Sequence, residues 1–156
     1  MTILLDTTVL SNFARAKLDY VLQQIWGNEV FIALEVAEEY QVGVKTGRMP
    51  SLASIELITL TPTPEEVSLS STMPQRLGRG ERASIAIAFN RGAAIATDDA
   101  FARRVAHDLG ISVTGTIGIL QRCIERRILS ARQAQQALEG MIAAGYYSPT
   151  RNLKDE

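Results

Sequence analysis

Short apolar runs punctuate the chain. "TILL", "VFIA", "IELITL", "AAIAT" and "ISVT" are rich in aliphatic and β-branched residues, and each is bounded by polar residues or glycine. Runs of this length with no polar alternation predict strands buried in a sheet. Between them the apolar positions recur at helical spacing. Thr7 to Ala16 opens with capping residues behind Asp6, and "LDYVLQQIWG" closes on Gly27. "LEVAEEYQVGVKTG" spaces Val36, Tyr40 and Val44 at helical intervals, with Gly47 as its stop. In "TPTPEEV", Thr63 is the cap, Pro64 takes the first helical position, and two glutamates meet the positive end of the dipole. "GERASIAIAFNRG", "DDAFARRVAHDLG", "TGTIGILQRCIERR" and "SARQAQQALEGMIAAG" predict four more helices, the last opened by a Ser130/Gln133 capping box.

Strands that alternate with helices define the α/β class. The expected architecture is a central parallel sheet of about five strands with helices on both faces, three layers α/β/α. No repeat or shift in composition marks a linker, so residues 1–147 are expected to form one domain. The polar stretch 148–156 is expected to be a frayed tail.

Composition narrows the partners. A chain of 156 residues, 46% hydrophobic and 21% charged, has the make-up of an ordinary globular domain with a real core. A net charge of −1 supplies no overall basic field, so nucleic-acid binding would need local arginines or metal ions that offset acidic side chains. Cys123 has no second cysteine to pair with, and "MTILLD" lacks the basic n-region of a signal peptide. A reducing, cytoplasmic location is the expectation, with no membrane association, since no segment approaches the roughly 20 apolar residues of a spanning helix.

The acids fall in a pattern. Ligands bind open parallel sheets beyond the carboxyl ends of the strands, where strand order reverses. Asp6 follows the first strand and the pair Asp98 and Asp99 follows the fourth. Glu38 and Glu39 sit early in the helix after the second strand, and Glu81 opens the helix that feeds the fourth. Gathered at one rim, such carboxylates repel each other unless a cation lies among them. An all-oxygen set suits Mg²⁺ or Mn²⁺, and the isolation of His107 and Cys123 disfavours zinc. Each acid also has a local role open to it: Asp6 and Asp98 or Asp99 as helix caps, Glu81 on a helix dipole, Glu38 and Glu39 on a solvated face.

Together these stretches resemble the PIN-domain family of metal-dependent ribonucleases. The likeness is carried by "LLDTTVLSNFA", "EVAEEYQVG", "GRGERASIAIA", and "ATDDAFARRVAHDLGI" followed by "TGTIGIL", and it spans the chain to about Tyr147. The chain is especially similar to VapC-type toxins and to a PIN subgroup sharing the Gly-Glu and Thr-Gly-Thr-x-Gly segments. The resemblance implies Asp6 as the first acid and Glu39, which aligns better than Glu38, as the second. It implies Glu81 at a third position where the VapC type often has Asp, and Asp99 as the fourth, with Asp98 its rival. Asp6, Glu81 and Asp99, or Asp98, would hold Mg²⁺ or Mn²⁺; Glu39 would orient or deprotonate water; Thr7 and Thr97 would support.

The implied reaction is hydrolysis of single-stranded RNA to a 5′-phosphate and a 3′-hydroxyl. Arg76, Arg79 and Arg82 around the glycine loop, with Lys45 and Arg48, are the candidate backbone contacts, while Arg103 and Arg104 are assigned to a partner. A small antitoxin protein and a homodimer through Leu18, Val21, Leu22, Ile25 and Trp26 are the implied partners, although core packing accounts for the same apolar stripe. Two other classes fail on residues: a HAD-like phosphatase needs an acid where Thr8 stands, and a flavodoxin-type phosphate loop needs glycines that "DTTVLSN" lacks. A PIN-like RNA-binding or partner-binding module without strong turnover stays open, kept alive by Glu81 in place of Asp.

Overall fold

The structure is a computed structural model; it describes residues 1–52 and 55–155, and the end of the expected tail at Glu156 lies outside them. Strands β1 (Ile3–Leu5), β2 (Val30–Ala33), β3 (Ile58–Leu60), β4 (Ala94–Ala96) and β5 (Val113–Thr114) form one sheet in the order β3-β2-β1-β4-β5. Every pairing is parallel. Eight α-helices are formed by the described residues: α1 (Thr7–Arg15), α2 (Tyr20–Trp26), α3 (Leu34–Lys45), α4 (Pro64–Ser71), α5 (Arg79–Arg91), α6 (Ala100–Asp108), α7 (Thr116–Glu125) and α8 (Ala131–Ala143). Connections run outward from β1 to β3 and then back across to β4 and β5. Right-handed crossovers therefore put the two sets of helices on opposite faces, the expected three layers.

The central strands explain their composition. Ile3, Leu4, Leu5, Ile95 and Ala96 are buried, and α5, with Ala83 through Ala88 buried, packs across β1, β2 and β4. "IELITL" departs from the expectation of a buried strand. Only Ile58–Leu60 pairs, and Ile58 is exposed, because β3 is an edge with a neighbour on one side alone. The helix signals are realised at their caps. Thr63 and Glu66 form a reciprocal capping box at α4, as do Ser130 and Gln133 at α8, and Gly27 ends α2 at φ 59°.

The apolar stripe around α2 serves the core of this one chain, as the alternative reading of it expected: Val21, Leu22 and Ile25 are buried, and Leu18 and Trp26 are half-buried against the same core. The tail does not fray over its described length. Gln135 on α8 donates to Arg151 O and accepts from Leu153 N, and the Leu153 side chain is buried. One buried apolar residue and one side-chain amide on α8, paired with the tail's backbone, anchor the polar stretch.

Candidate active site at the carboxyl edge of the sheet

Strand order reverses at β1, which pairs with β2 on one side and β4 on the other. The crevice between the ends of β1 and β4 is thus the natural ligand site of the fold. Asp6 stands on one side of it and Asp99 on the other. Asp6 N donates to Ala96 O at 2.9 Å, so the two strand ends are stitched together where the acids begin.

Asp6, Asp99 and Glu81 each fill the local role open to them at the start of a helix. Asp6 Oδ1 caps α1 by accepting from Thr7 N at 2.9 Å, while Oδ2 accepts from the buried Thr97 hydroxyl at 2.9 Å. Asp99 Oδ1 caps α6 through Ala102 N at 2.8 Å, and Glu81 Oε1 accepts from Gly78 N at 2.9 Å at the start of α5. Asp99 Oδ2 and Glu81 Oε2 make no hydrogen bond among the described residues. Glu39 bridges helices: Oε1 accepts from Gly80 N at 2.9 Å and Oε2 from the Thr7 hydroxyl at 3.3 Å. A Cβ at Gly80 would lie 2.9 Å from Glu39 Oε2 and 3.0 Å from Val36 Cγ2, so any larger residue would have to displace the Glu39 carboxylate from its place against α5.

The electrostatics single out the same set. Asp6 is pushed up from 3.8 to about 6, chiefly by burial, with the charges of Glu39 and Asp99 adding to the rise against the Thr97 and Thr7 hydrogen bonds. Glu81 rises from 4.5 to about 7, again chiefly by burial, with the Gly78 hydrogen bond pulling the other way and Asp6, Asp99 and Glu39 adding repulsion. Asp98 is absent from both sets. Its oxygens face β5 and α7, accepting from Thr116 N at 2.8 Å, the Thr116 hydroxyl at 2.6 Å and Asn12 Nδ2 at 3.4 Å. Asp98 thus joins α1 to α7, while Asp99 caps α6 and adds its charge to those around Asp6 and Glu81. Glu38 pairs on the surface with Arg79 at 3.3 Å.

The donor set fits a hard divalent cation in kind. All its groups are oxygens, and two of the acids carry raised pKa values that a cation would reverse. Ser84 Oγ, buried without a hydrogen-bond partner, lines a void of about 10 Å³ beside Asp6, Glu81 and Thr97. That is close to the space one water needs. Ser84 was legible only as a polar residue three positions after Glu81, on the same helix face. The spacing is looser than the chemistry: among the described residues no three acidic, histidine or cysteine side chains stand together as an ion-holding group. Cys123 is buried far from the rim, and burial pushes its thiol up to about 11, which leaves no thiolate to act as nucleophile.

Charge around the rim comes from the expected loop. Arg76 lies over the Phe101 ring at 4.6 Å, so it is held beside the start of α6, and Arg82 donates to Gln75 at 3.2 Å. Lys45 and Arg48 are set apart: Lys45 is six residues beyond Glu39 on α3, about 9 Å along the axis, and Arg48 is engaged by its carbonyl with Arg15 and by its Nε with Thr46. Arg103, expected to meet a partner, donates from Nη1 to Thr97 O at 2.9 Å, just past the end of β4.

A parallel sheet with carboxylates gathered at its switch point is a nuclease-like scaffold. A family model for the PIN domain matches residues 2–155, and the chain belongs to the PIN-domain family. PIN domains are in general nucleases, hydrolases that typically use divalent metals. No curated protein and no solved structure matches the chain. No helix among the described residues is long and apolar enough to cross a membrane.

The raised acids carry a pH signature. With folded values of about 6 and about 7 against 3.8 and 4.5, Asp6 and Glu81 hold protons in the folded state that the unfolded chain has released. Their contribution is fully favourable below the unfolded values and is lost as pH rises through the folded ones. In EDTA, melting temperature is expected to fall between pH 4.5 and 7.5, with a shallower fall in Asp6→Asn. Parallel wild-type and variant curves over that range would contradict the assignment of Asp6 as a strained acid.

Proposed function

We propose that the protein is a metal-dependent endoribonuclease that hydrolyses phosphodiester bonds of single-stranded RNA, and that it serves as the toxin of a toxin–antitoxin pair with a small antitoxin protein as partner. The observation that supports the catalytic reading is that acids from four separate segments act on one another beside the switch point: the charges of Glu39 and Asp99 bear on Asp6, and those of Asp6, Asp99 and Glu39 on Glu81. In this reading Asp6, Glu81 and Asp99 hold Mg²⁺ or Mn²⁺. When bound, such an ion supplies Lewis-acid stabilisation of the charge that develops on the phosphate oxygens.

The chain's own residues do the rest. The Thr97 hydroxyl fixes the Asp6 carboxylate by donating to Oδ2, and Thr7 does the same for Glu39 Oε2. Glu39 orients the attacking water or takes its proton. Arg76, Arg79 and Arg82 track the RNA backbone.

Titration of Mg²⁺ and Mn²⁺ against a defined single-stranded RNA, with sequencing of the ends, tests the reaction. Fragments with 5′-phosphate and 3′-hydroxyl ends are expected. Glu39→Gln should lower the rate by about 10²-fold, the scale of a lost general base, with RNA affinity retained. Growth arrest on bacterial expression, lost in Asp6→Asn, tests the toxin role. The second reading is a PIN-like binding module with weak turnover. It is favoured by the absence of a ready three-ligand group among the described residues and by the engagement of both Glu39 oxygens. RNA bound but uncut across both metals would select it.

A further inference from the structure

Beside the carboxylates, on the β5 side, lies an open groove of about 720 Å³ between α6, the β5–α7 turn and the start of the C-terminal tail. This is within the size range of small-molecule sites. On its outer side stands Tyr147, a residue 96% exposed. A bare aromatic at that level of exposure contributes nothing to the core. The chain on either side of it is anchored: Tyr146 donates to Asp98 Oδ1 at 3.4 Å, and the tail beyond is tied to Gln135. Arg103 forms the opposite wall. Its Nη1 is fixed on Thr97 O; it forms no ion pair among the described residues and shares the groove lining with Asp98, whose oxygens are taken up by Thr116 and Asn12.

The floor is kept low by glycines. A Cβ at Gly115 would come within 2.7 Å of both Arg103 Nη1 and Asp98 Oδ1, and one at Gly118 within 2.6 Å of Thr114 Oγ1. Gln121 on α7 lines the groove, and its amide makes no hydrogen bond among the described residues. The groove adjoins the acids through Thr97: Arg103 in its wall donates to Thr97 O, and the Thr97 hydroxyl donates to Asp6 Oδ2.

We propose that this groove is a subsite for the nucleotide adjoining the scissile phosphate of single-stranded RNA, with Tyr147 stacking on its base and Arg103 meeting its phosphate. The proposal rests on the ribonuclease reading above and adds where the strand lies and what grips it. An aromatic face paired with a guanidinium is the chemistry by which single strands are held without duplex geometry, since every base has a π-face and every link a charge. Gln121 would read a base edge, which makes it the specificity-bearing side chain. Continuity with the carboxylates favours a strand passing through the site over a protein segment docked beside it.

Binding and cleavage are measured separately, so that the two ideas fail separately. Fluorescence anisotropy of a labelled single-stranded oligoribonucleotide in EDTA reads the groove. Tyr147→Ala should weaken binding roughly tenfold, whereas Tyr147→Phe, which keeps the stacking face, should bind as wild type. Arg103→Gln should weaken binding and lower the slope of log K against log salt by about 0.7. In steady-state cleavage Tyr147→Ala should raise KM and leave kcat nearly unchanged. Tyr147 is too exposed for its replacement to unfold the chain. Cleavage by a protein whose oligonucleotide affinity ignores Tyr147→Ala would overturn the subsite and leave the ribonuclease standing, with a protein partner as the groove's occupant. Tyr147-dependent binding without cleavage would do the reverse. A wild type that binds no oligonucleotide would overturn the subsite outright.

Discussion

Asp6→Asn is expected to remove RNA cleavage by two to three orders of magnitude, the scale seen when one fixed electrostatic stabiliser of a transition state is lost. The fold should survive. Asn keeps the Oδ1 acceptor that caps α1 through Thr7 N, and Asn caps about as well as Asp. The Thr97 hydroxyl, which now donates to Asp6 Oδ2, need only rotate to accept from the new amide. What disappears is one negative charge from a buried set. The metal-free variant should therefore melt above the wild type at pH 7.5, where the Asp6 carboxylate is ionised at the expense of its burial.

Metal response separates the site from the cap. An ion that binds only the folded state stabilises by about 2.7 kcal/mol at a hundred times its Kd. For a chain of this size that is roughly 5–10 °C. Mn²⁺ should lift the wild type by such an amount and Asp6→Asn by much less. Equal cleavage and equal metal shifts in the two proteins would leave Asp6 a helix cap and nothing more.

Arg91→Met is expected to lower the melting temperature by roughly 5–10 °C, with no effect on chemistry at the rim. Glu66 on α4 is fully buried, and Arg91 at the end of α5 holds it through Nη2 at 2.8 Å and Nε at 2.9 Å. Asn90 and Thr63 N complete its hydrogen bonds at 2.9 and 2.8 Å. Removing one member of a buried pair strands the other, at about 3–5 kcal/mol. The half-exposed position of Arg91 and the two remaining donors bring that to about 2–3 kcal/mol.

The pH dependence has the opposite sign to that of the rim. Arg91, foremost, holds the Glu66 carboxyl at about 2 against an ordinary 4.5, so its contribution is present above 4.5 and is lost as pH falls toward 2. Arg91→Met should lose this acid limb as well as stability at neutral pH. Adding Glu66→Gln should restore part of the loss by removing the stranded charge. Thermal melts at pH 7 and pH 3 test both statements. A melting point within a degree of wild type at pH 7 would show that Arg91 is an ordinary surface cation.

What the chain determines by itself is whatever depends on neighbours along it. Strand and helix periods, the capping boxes at Thr63 and Ser130, and the stop at Gly27 are short-range features, and they appear where the pattern puts them. The order of strands and helices also carried the fold class, and with it the rim on which Asp6 and Glu81 had to lie. Edge and centre were not legible. "IELITL" is as apolar as the buried runs, yet Ile58 is exposed because strand order left β3 with one neighbour.

The finer decisions needed partners far apart in sequence. Asp98 and Asp99 are equally good caps on paper. Successive residues leaving a strand point to different sides, so one meets Thr116 and Asn12 while the other caps α6 facing Asp6. Asn12 lies 86 residues from Asp98, and no local pattern reports that distance. Arg103 looks like any surface cation until β4 brings Thr97 O within its reach, and Tyr147 looks like part of a loose tail until Gln135 ties that tail down. Period and capping are properties of a few adjacent residues, whereas the surroundings of a side chain at a strand end are decided by which strands lie beside it.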